Sequence, residues 1–330
     1  MNIPPTSRTA PANRPAKYRD RLPQLGEALF LTDGGIETTL IYLDGMELPY
    51  FAAFDLLRTD RGRTALRKYF ETHASIAREQ GVGFVLESAT WRASADWGAK
   101  LGYSAADLEL ANHQAIILLH ELRPQFETAS TPVVISGCIG PRGDGYRADR
   151  QMSVAEAEAY HAVQAGIFAA AGADLVTAIT MTYAEEAIGL VRAAQAAGMP
   201  VAVSFTTETD GRLPSGQRLA EAISQVDGAT RSAPVYYMIN CAHPTHFAGT
   251  LEAGAPWLQR LRGIRANAST KSHAELDTCT ELDAGNPAEL GAQYVELRRL
   301  LPHLTVLGGC CGTDHRHIEA IGRACTAVRR

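Results

Sequence analysis

The chain has 330 residues, 46% of them hydrophobic and 20% charged, the balance of an ordinary soluble globular protein. Its formal net charge of −5 offers no basic field for nucleic acid or an anionic membrane surface. No apolar run approaches the roughly 20 residues needed to span a bilayer, and six cysteines are too few for a disulfide scaffold.

Residues 1–25 are rich in proline, arginine and small polar residues, with none of the apolar stretch of a secretory signal. They read as a short mobile N-terminal tail ahead of one domain over 26–330, and cytoplasmic residence is the expectation. Short apolar runs then alternate with helix-like stretches. ALFLTDG (28–34) leads to a helix over 59–80, and GFVLES (83–88) to one over 104–126. PVVISG (132–137) precedes 153–171, where Ser153 and Glu156 make a capping box. DLVTAIT (174–180) precedes 183–197, and PVAVSFT (200–206) precedes 218–232. VYYMINC (235–241) leads to 245–261, RGIRANA (262–268) to 287–301, and TVLGGC (305–310) to 315–328. Gly81, Gly172 and Gly198 sit where helices turn back to strands, as C-terminal caps do. Continuous rather than alternating apolar strands imply burial on both faces, hence a parallel sheet covered by helices. Eight such repeats predict a single-domain (β/α)8 TIM barrel. An open doubly wound sheet is the competitor, but no GxGxxG or GxxxxGK opens a helix here.

In such a barrel the functional rim lies at the C-terminal ends of the strands. Cys241 ends the sixth expected strand and the doublet Cys310-Cys311 ends the eighth. Adjacent cysteines pair poorly with each other, and Gly308, Gly309 and Gly312 let the backbone bend so that both reach one ion. The placement suits reduced, metal-ready thiols. Three thiolates without an evident fourth ligand are the inventory of a zinc site with one open position; the alternative is structural cysteines beside a glycine turn. His243 would close the site as Cys3His, but His243-Pro244 reads as the start of a loop and helix. Three thiolates leave the ion anionic and suited to a soft ligand, a substrate sulfur. A free thiol with a pKa of about 8.5 is only a few per cent ionised at neutral pH, and coordination would deprotonate it. Such a thiolate can displace a methyl group from a cationic sulfur or nitrogen.

TDGGIETTL near the start, INC at 239–241, and GGCCGT followed by a helix with His317-Ile318 resemble the homocysteine S-methyltransferase family. The resemblance covers about residues 26–328. It implies Zn2+ as cofactor, held by Cys241, Cys310 and Cys311, with homocysteine as acceptor and methionine as product. No second module for cobalamin or folate fits beside the barrel, so the expected donor is a small onium: S-methylmethionine, S-adenosylmethionine or betaine. Asp33 matches the family's acidic residue near the amino-acid substrate. Ile179 stands where the family commonly carries a glutamate, and Glu87 is placed to take over that charge.

Around this core, Gly34 and Gly35 would let substrate approach the backbone. Trp91 and Tyr183 are candidates for an aromatic lining of an onium site, or for plain packing at the rim. Thr90, Ser136, Ser204, Asn240 and Asn267 lie near strand tips, where each could bind a carboxylate or cap a turn. The loops 140–152 and 206–217 are expected on the donor side. Two other functions stay open: the same zinc chemistry on another thiol or selenol such as selenohomocysteine, and a barrel without turnover that binds zinc and thiols. The partners required are a small-molecule thiol and a methyl donor; monomer and homo-oligomer remain equally open.

Overall fold

The computed structural model describes residues 14–279 and 281–327. All eight expected strands are present: β1 (Phe30–Leu31), β2 (Gly83–Glu87), β3 (Val133–Ile139), β4 (Leu175–Met181), β5 (Val201–Thr206), β6 (Tyr236–Asn240), β7 (Leu261–Ala266) and β8 (Val306–Gly309). They pair in chain order, and β8 returns to β1 in parallel register, closing the (β/α)8 barrel. The first strand keeps only two residues of the predicted run. Beyond them the Thr32 N–H still donates to the Leu307 carbonyl and the Asp33 carbonyl accepts from the Gly309 N–H; the chain then turns away, and the Gly35 N–H donates to Thr313.

Side chains alternate between the two faces of a strand, so every second residue of the barrel points inward. Phe30, Val85, Val134, Leu175, Ala202, Met238 and Val306 meet there as one apolar cluster. Two residues further along the same strands the inward positions become polar: Glu87, Ser136, Thr177, Ser204 and Asn240. On β7 the inward pair is Gly263 and Arg265, and all of this upper layer is buried. The bore is therefore oily at one end and charged at the end that carries the cysteines.

Helices Asp60–Gln80, Ala105–Phe126, Val154–Ala170, Ala184–Ala196, Leu219–Thr230, Pro287–Leu300 and His315–Ala327 cover the outside. The Ser153–Glu156 capping box forms as predicted, and Gly81, Gly172 and Gly198 all take positive φ at helix ends. One expected helix is not continuous. Over 245–261 the chain makes only the helix Pro244–Phe247 and two 3-10 turns. Gly254 at φ +84 and Pro256 two residues later break the helical pattern.

Of the predicted mobile tail, residues 1–13 lie outside the described residues. Residues 14–25 are packed rather than free. The Lys17 and Tyr18 N–H groups donate to Asp174, Arg19 donates to the Ala169 and Ala173 carbonyls, and Leu22 joins the apolar cluster of the bore. This segment carries the backbone donors that a buried Asp174 needs, which composition alone did not reveal. Among the described residues no helix is long and apolar enough to cross a membrane.

Candidate metal centre and substrate cavity

The sulfurs of Cys241, Cys310 and Cys311 lie within 4.8 Å of one another at the C-terminal rim, as expected. Cys241 follows β6 directly and takes φ +53, a left-handed conformation rare outside glycine and typical of functional sites. Its carbonyl is held by Asn267 Nδ2 at 3.0 Å and by His273 Nε2, so strand β7 and the segment after it fix the turn. The Cys310 N–H donates to the Ala266 carbonyl at 2.8 Å, which anchors the doublet to the same strand.

The sulfurs of Cys241 and Cys310 stand in direct contact, with their Cα atoms 5.3 Å apart, close enough to pair as a disulfide on oxidation. Only the Cys310-Cys311 doublet is barred by geometry from pairing; strand β6 brings Cys241 to ordinary disulfide range of it. Reduced, the trio fits zinc. A zinc–sulfur bond of about 2.3 Å puts tetrahedral sulfurs about 3.8 Å apart, and Cys241 Sγ and Cys311 Sγ stand at 4.0 Å. Disulfide and ion exclude each other, because both draw on the same sulfurs. His243 is not part of the cluster: its Nδ1 accepts from Thr245 N as the cap of Pro244–Phe247, as its sequence position suggested.

A polar neighbour of the sulfurs was not foreseen from the sequence. Tyr146 Oη lies 3.1 Å from Cys311 Sγ and 3.8 Å from Cys241 Sγ, and its ring packs on His273. Tyr146 is the one aromatic residue in the loop 140–152, which is the signal that could have singled it out. Burial and the adjacent Cys311 hold its phenol well above the usual range, so it remains a neutral hydroxyl.

Beneath the cysteines, Asp33 and Glu87 meet a third group. Arg265 donates to both carboxylates from the inward face of β7, and all three are buried. Tyr69 Oη adds a 2.9 Å hydrogen bond to Asp33. Burial would lower the Arg265 pKa, but the charges of Asp33 and Glu87 more than offset this and raise it. Burial pushes Glu87 up, with Arg265 pulling the other way. The partner that a buried Asp33 requires is thus supplied by the protein itself.

A cavity of about 300 Å3 opens over this floor. Its wall includes the three cysteines, Asp33, Gly34, Gly35, Glu87, Trp91, Asn267 and Ile179 from the sequence analysis. It also includes residues not foreseen: Glu37, Tyr42, Phe51, Arg92, Tyr146 and Arg265. Gly34 and Gly35 are tight for a second reason, since a Cβ on either would press on Thr313 or the Cys310 carbonyl. The loop after β1 packs backbone-to-backbone under the cysteine turn.

The remaining candidates belong to the barrel wall. Thr90 donates to the Cys138 carbonyl, Ser136 bonds Thr177, and Ser204 donates to Asn240. Asn240 in turn braces Thr180, which sits at φ +63, and the Tyr183 hydroxyl accepts from Met152 N. None of these five lines the cavity. Trp91 does, but Arg92 already lies over its ring at 3.9 Å. Of the two loops expected around the donor, 140–152 contributes Asp144 and Tyr146, whereas no residue of 206–217 reaches the wall.

Fold and site together define a TIM-barrel protein with a cluster of three cysteines, able to hold a metal ion, at the rim formed by the C-terminal ends of its strands. The comparisons agree. The profile of the homocysteine S-methyltransferase family matches residues 30–325. The chain belongs to that family. Among solved structures, the metallated form of the homocysteine methyltransferase MmuM from Escherichia coli is 19% identical, with a TM-score of 0.69 over 90% of this chain and 96% of that one. Its oxidised form matches at 19% identity and a TM-score of 0.71, over 94% and 99%. At such identity these likenesses establish the shared fold. No curated protein matches the sequence.

Proposed function

We propose that the chain is a zinc-dependent enzyme that moves a methyl group from a small onium donor to the sulfur of homocysteine, giving methionine. The observation that carries this reading is the convergence of Cys241, Cys310 and Cys311 on one cavity in a member of this family. Zinc held by the three cysteines would supply an acceptor sulfur ionised at neutral pH.

The chain's own residues do the rest. Ile36, Ile41, Ile179, Leu276 and Leu282 give the cavity apolar walls that exclude water from the reacting sulfur. The Tyr146 hydroxyl shields the cysteines from the side of the loop after β3. Tyr42 and Phe51 line the cavity and are 52% and 55% exposed, so their faces are open to a cation arriving from solvent. Asp144 and Glu281 add negative charge to the same wall. Aligned there, the acceptor sulfur forms its S–C bond as the donor's C–S or C–N bond breaks. The breaking bond's electron pair stays on the donor, which leaves neutral, and the acceptor's proton passes to solvent. Reduced thiols are required throughout, which suits a cytoplasmic setting.

The test is an activity screen of the reduced, zinc-loaded chain, crossing homocysteine and other small thiols with S-methylmethionine, S-adenosylmethionine and betaine. Methionine formed from homocysteine with at least one donor is the expected result. Stoichiometric zinc with no thiol methylated by any donor would overturn it and leave a zinc- and thiol-binding barrel.

A further inference from the structure

An amino acid entering this cavity brings an ammonium and a carboxylate, and both need partners once water is excluded. The acidic pair that the sequence offered to the ammonium, Asp33 and Glu87, is already engaged by Arg265. Ile179, at the fourth strand, offers no charge. Two other charged residues on the wall make no ion pair among the described residues: Glu37 and Arg92. Asp144 and Glu281 are also without one, but they are solvent-exposed and cost little in that state.

The two flank the sulfurs from different loops. Glu37 lies between Gly35, whose backbone abuts the Cys310 carbonyl, and Thr38, whose Oγ1 accepts the Gly312 N–H at 3.0 Å. Arg92 donates from Nη1 to the Gly143 carbonyl at 2.8 Å, three residues before the tyrosine that touches Cys311. Its guanidinium is sandwiched between Trp91 at 3.9 Å and Trp97 at 3.7 Å, which fixes its plane. Arg92 is 5% exposed, makes that single hydrogen bond, and leaves Nε buried without a partner. Each charge lies within electrostatic reach of the other without meeting it as an ion pair. Burial pushes the Glu37 carboxyl up to about 7, the behaviour of an acid still lacking its counter-charge.

We propose that Glu37 and Arg92 are the specificity-determining pair for the acceptor, Glu37 receiving its α-ammonium and Arg92 its α-carboxylate. This rests on the methyl-transfer reading above and names the residues by which the same cavity selects an amino-acid thiol. The arrangement holds a zwitterion by both ends while its side-chain sulfur reaches the cysteines. Thiols lacking the carboxylate leave the buried Arg92 without a counter-charge, and those lacking the ammonium leave the half-buried Glu37 without a partner, which is the source of the selectivity.

The experiment is calorimetric binding to the reduced, zinc-loaded full chain of homocysteine, of 4-mercaptobutanoate (no ammonium) and of 3-mercaptopropylamine (no carboxylate). Homocysteine is expected to bind about 10–100-fold more tightly than either, the range for a charged hydrogen-bonded contact. Glu37→Gln removes that advantage over 4-mercaptobutanoate, whose own affinity stays the same. Arg92→Met removes the advantage over 3-mercaptopropylamine in the same way. Arg92→Lys, which keeps the charge but not the planar fork, falls between, and it serves should the methionine variant not fold. Variants that weaken all three thiols alike, or leave homocysteine untouched, overturn the proposal. Binding is read without turnover, so the two readings fail separately. The selective pattern without methyl transfer would sink only the enzymatic reading. Transfer with unchanged homocysteine affinity in both variants would sink only the pair.

Discussion

Replacing Cys311 by serine is expected to remove zinc and methyl transfer together. A hydroxyl is a poor substitute for a soft thiolate at this kind of centre. Without the ion the acceptor thiol is only a few per cent ionised at neutral pH and is no longer held against the donor. We expect zinc to fall to background and kcat/KM to drop by about a thousandfold or more, measured by metal analysis and methionine formation. Cys241 and Cys310 remain intact in this variant, so circular dichroism and the unfolding midpoint should stay close to those of the zinc-free parent. Retention of stoichiometric zinc in the serine variant would contradict the assignment.

The second large effect concerns Arg265. It lies inside the barrel and is the described cation paired with both Asp33 and Glu87. Removing one member of a buried ionic group leaves the others charged and unsolvated, typically costing about 3–5 kcal/mol. Arg265→Met is therefore expected to lower the unfolding free energy by about that amount, read from denaturant unfolding. Adding Glu87→Gln to it should recover part of the loss, since one stranded carboxylate is then neutral. A cost below about 1 kcal/mol would mean that the two acids find compensation elsewhere.

The contrast between these two sites shows what the sequence could disclose. The cysteines were legible because their chemistry is specific and because both motifs stand at the ends of apolar runs that can only be strands. The barrel was legible for the same reason: strands such as VVISGCI (133–139) are buried on both faces and read as unbroken apolar segments. Arg265 was not. In RGIRANA it looks like one of two surface arginines, and only alternation from Gly263 puts it on the inner face. Two inward carboxylates demanding a cation was the available clue. Glu37 and Arg92 were hidden beside stronger signals, the DGG turn and Trp91. Their roles depend on loops after β1, β2 and β3 coming together, which no local pattern encodes. Tyr146 belongs to the same class. The segment 245–261 failed differently: its apolar spacing suggested a helix, but Gly254 and Pro256 outweighed periodicity.

Zinc K-edge X-ray absorption on the reduced, zinc-loaded chain, before and after adding homocysteine, tests the central claim most directly. The account predicts one zinc per chain with three sulfur neighbours from the protein, rising to four when homocysteine is present. A sulfur count that stays unchanged on adding homocysteine would contradict it, and so would a chain that takes up no zinc with Cys241 and Cys310 reduced.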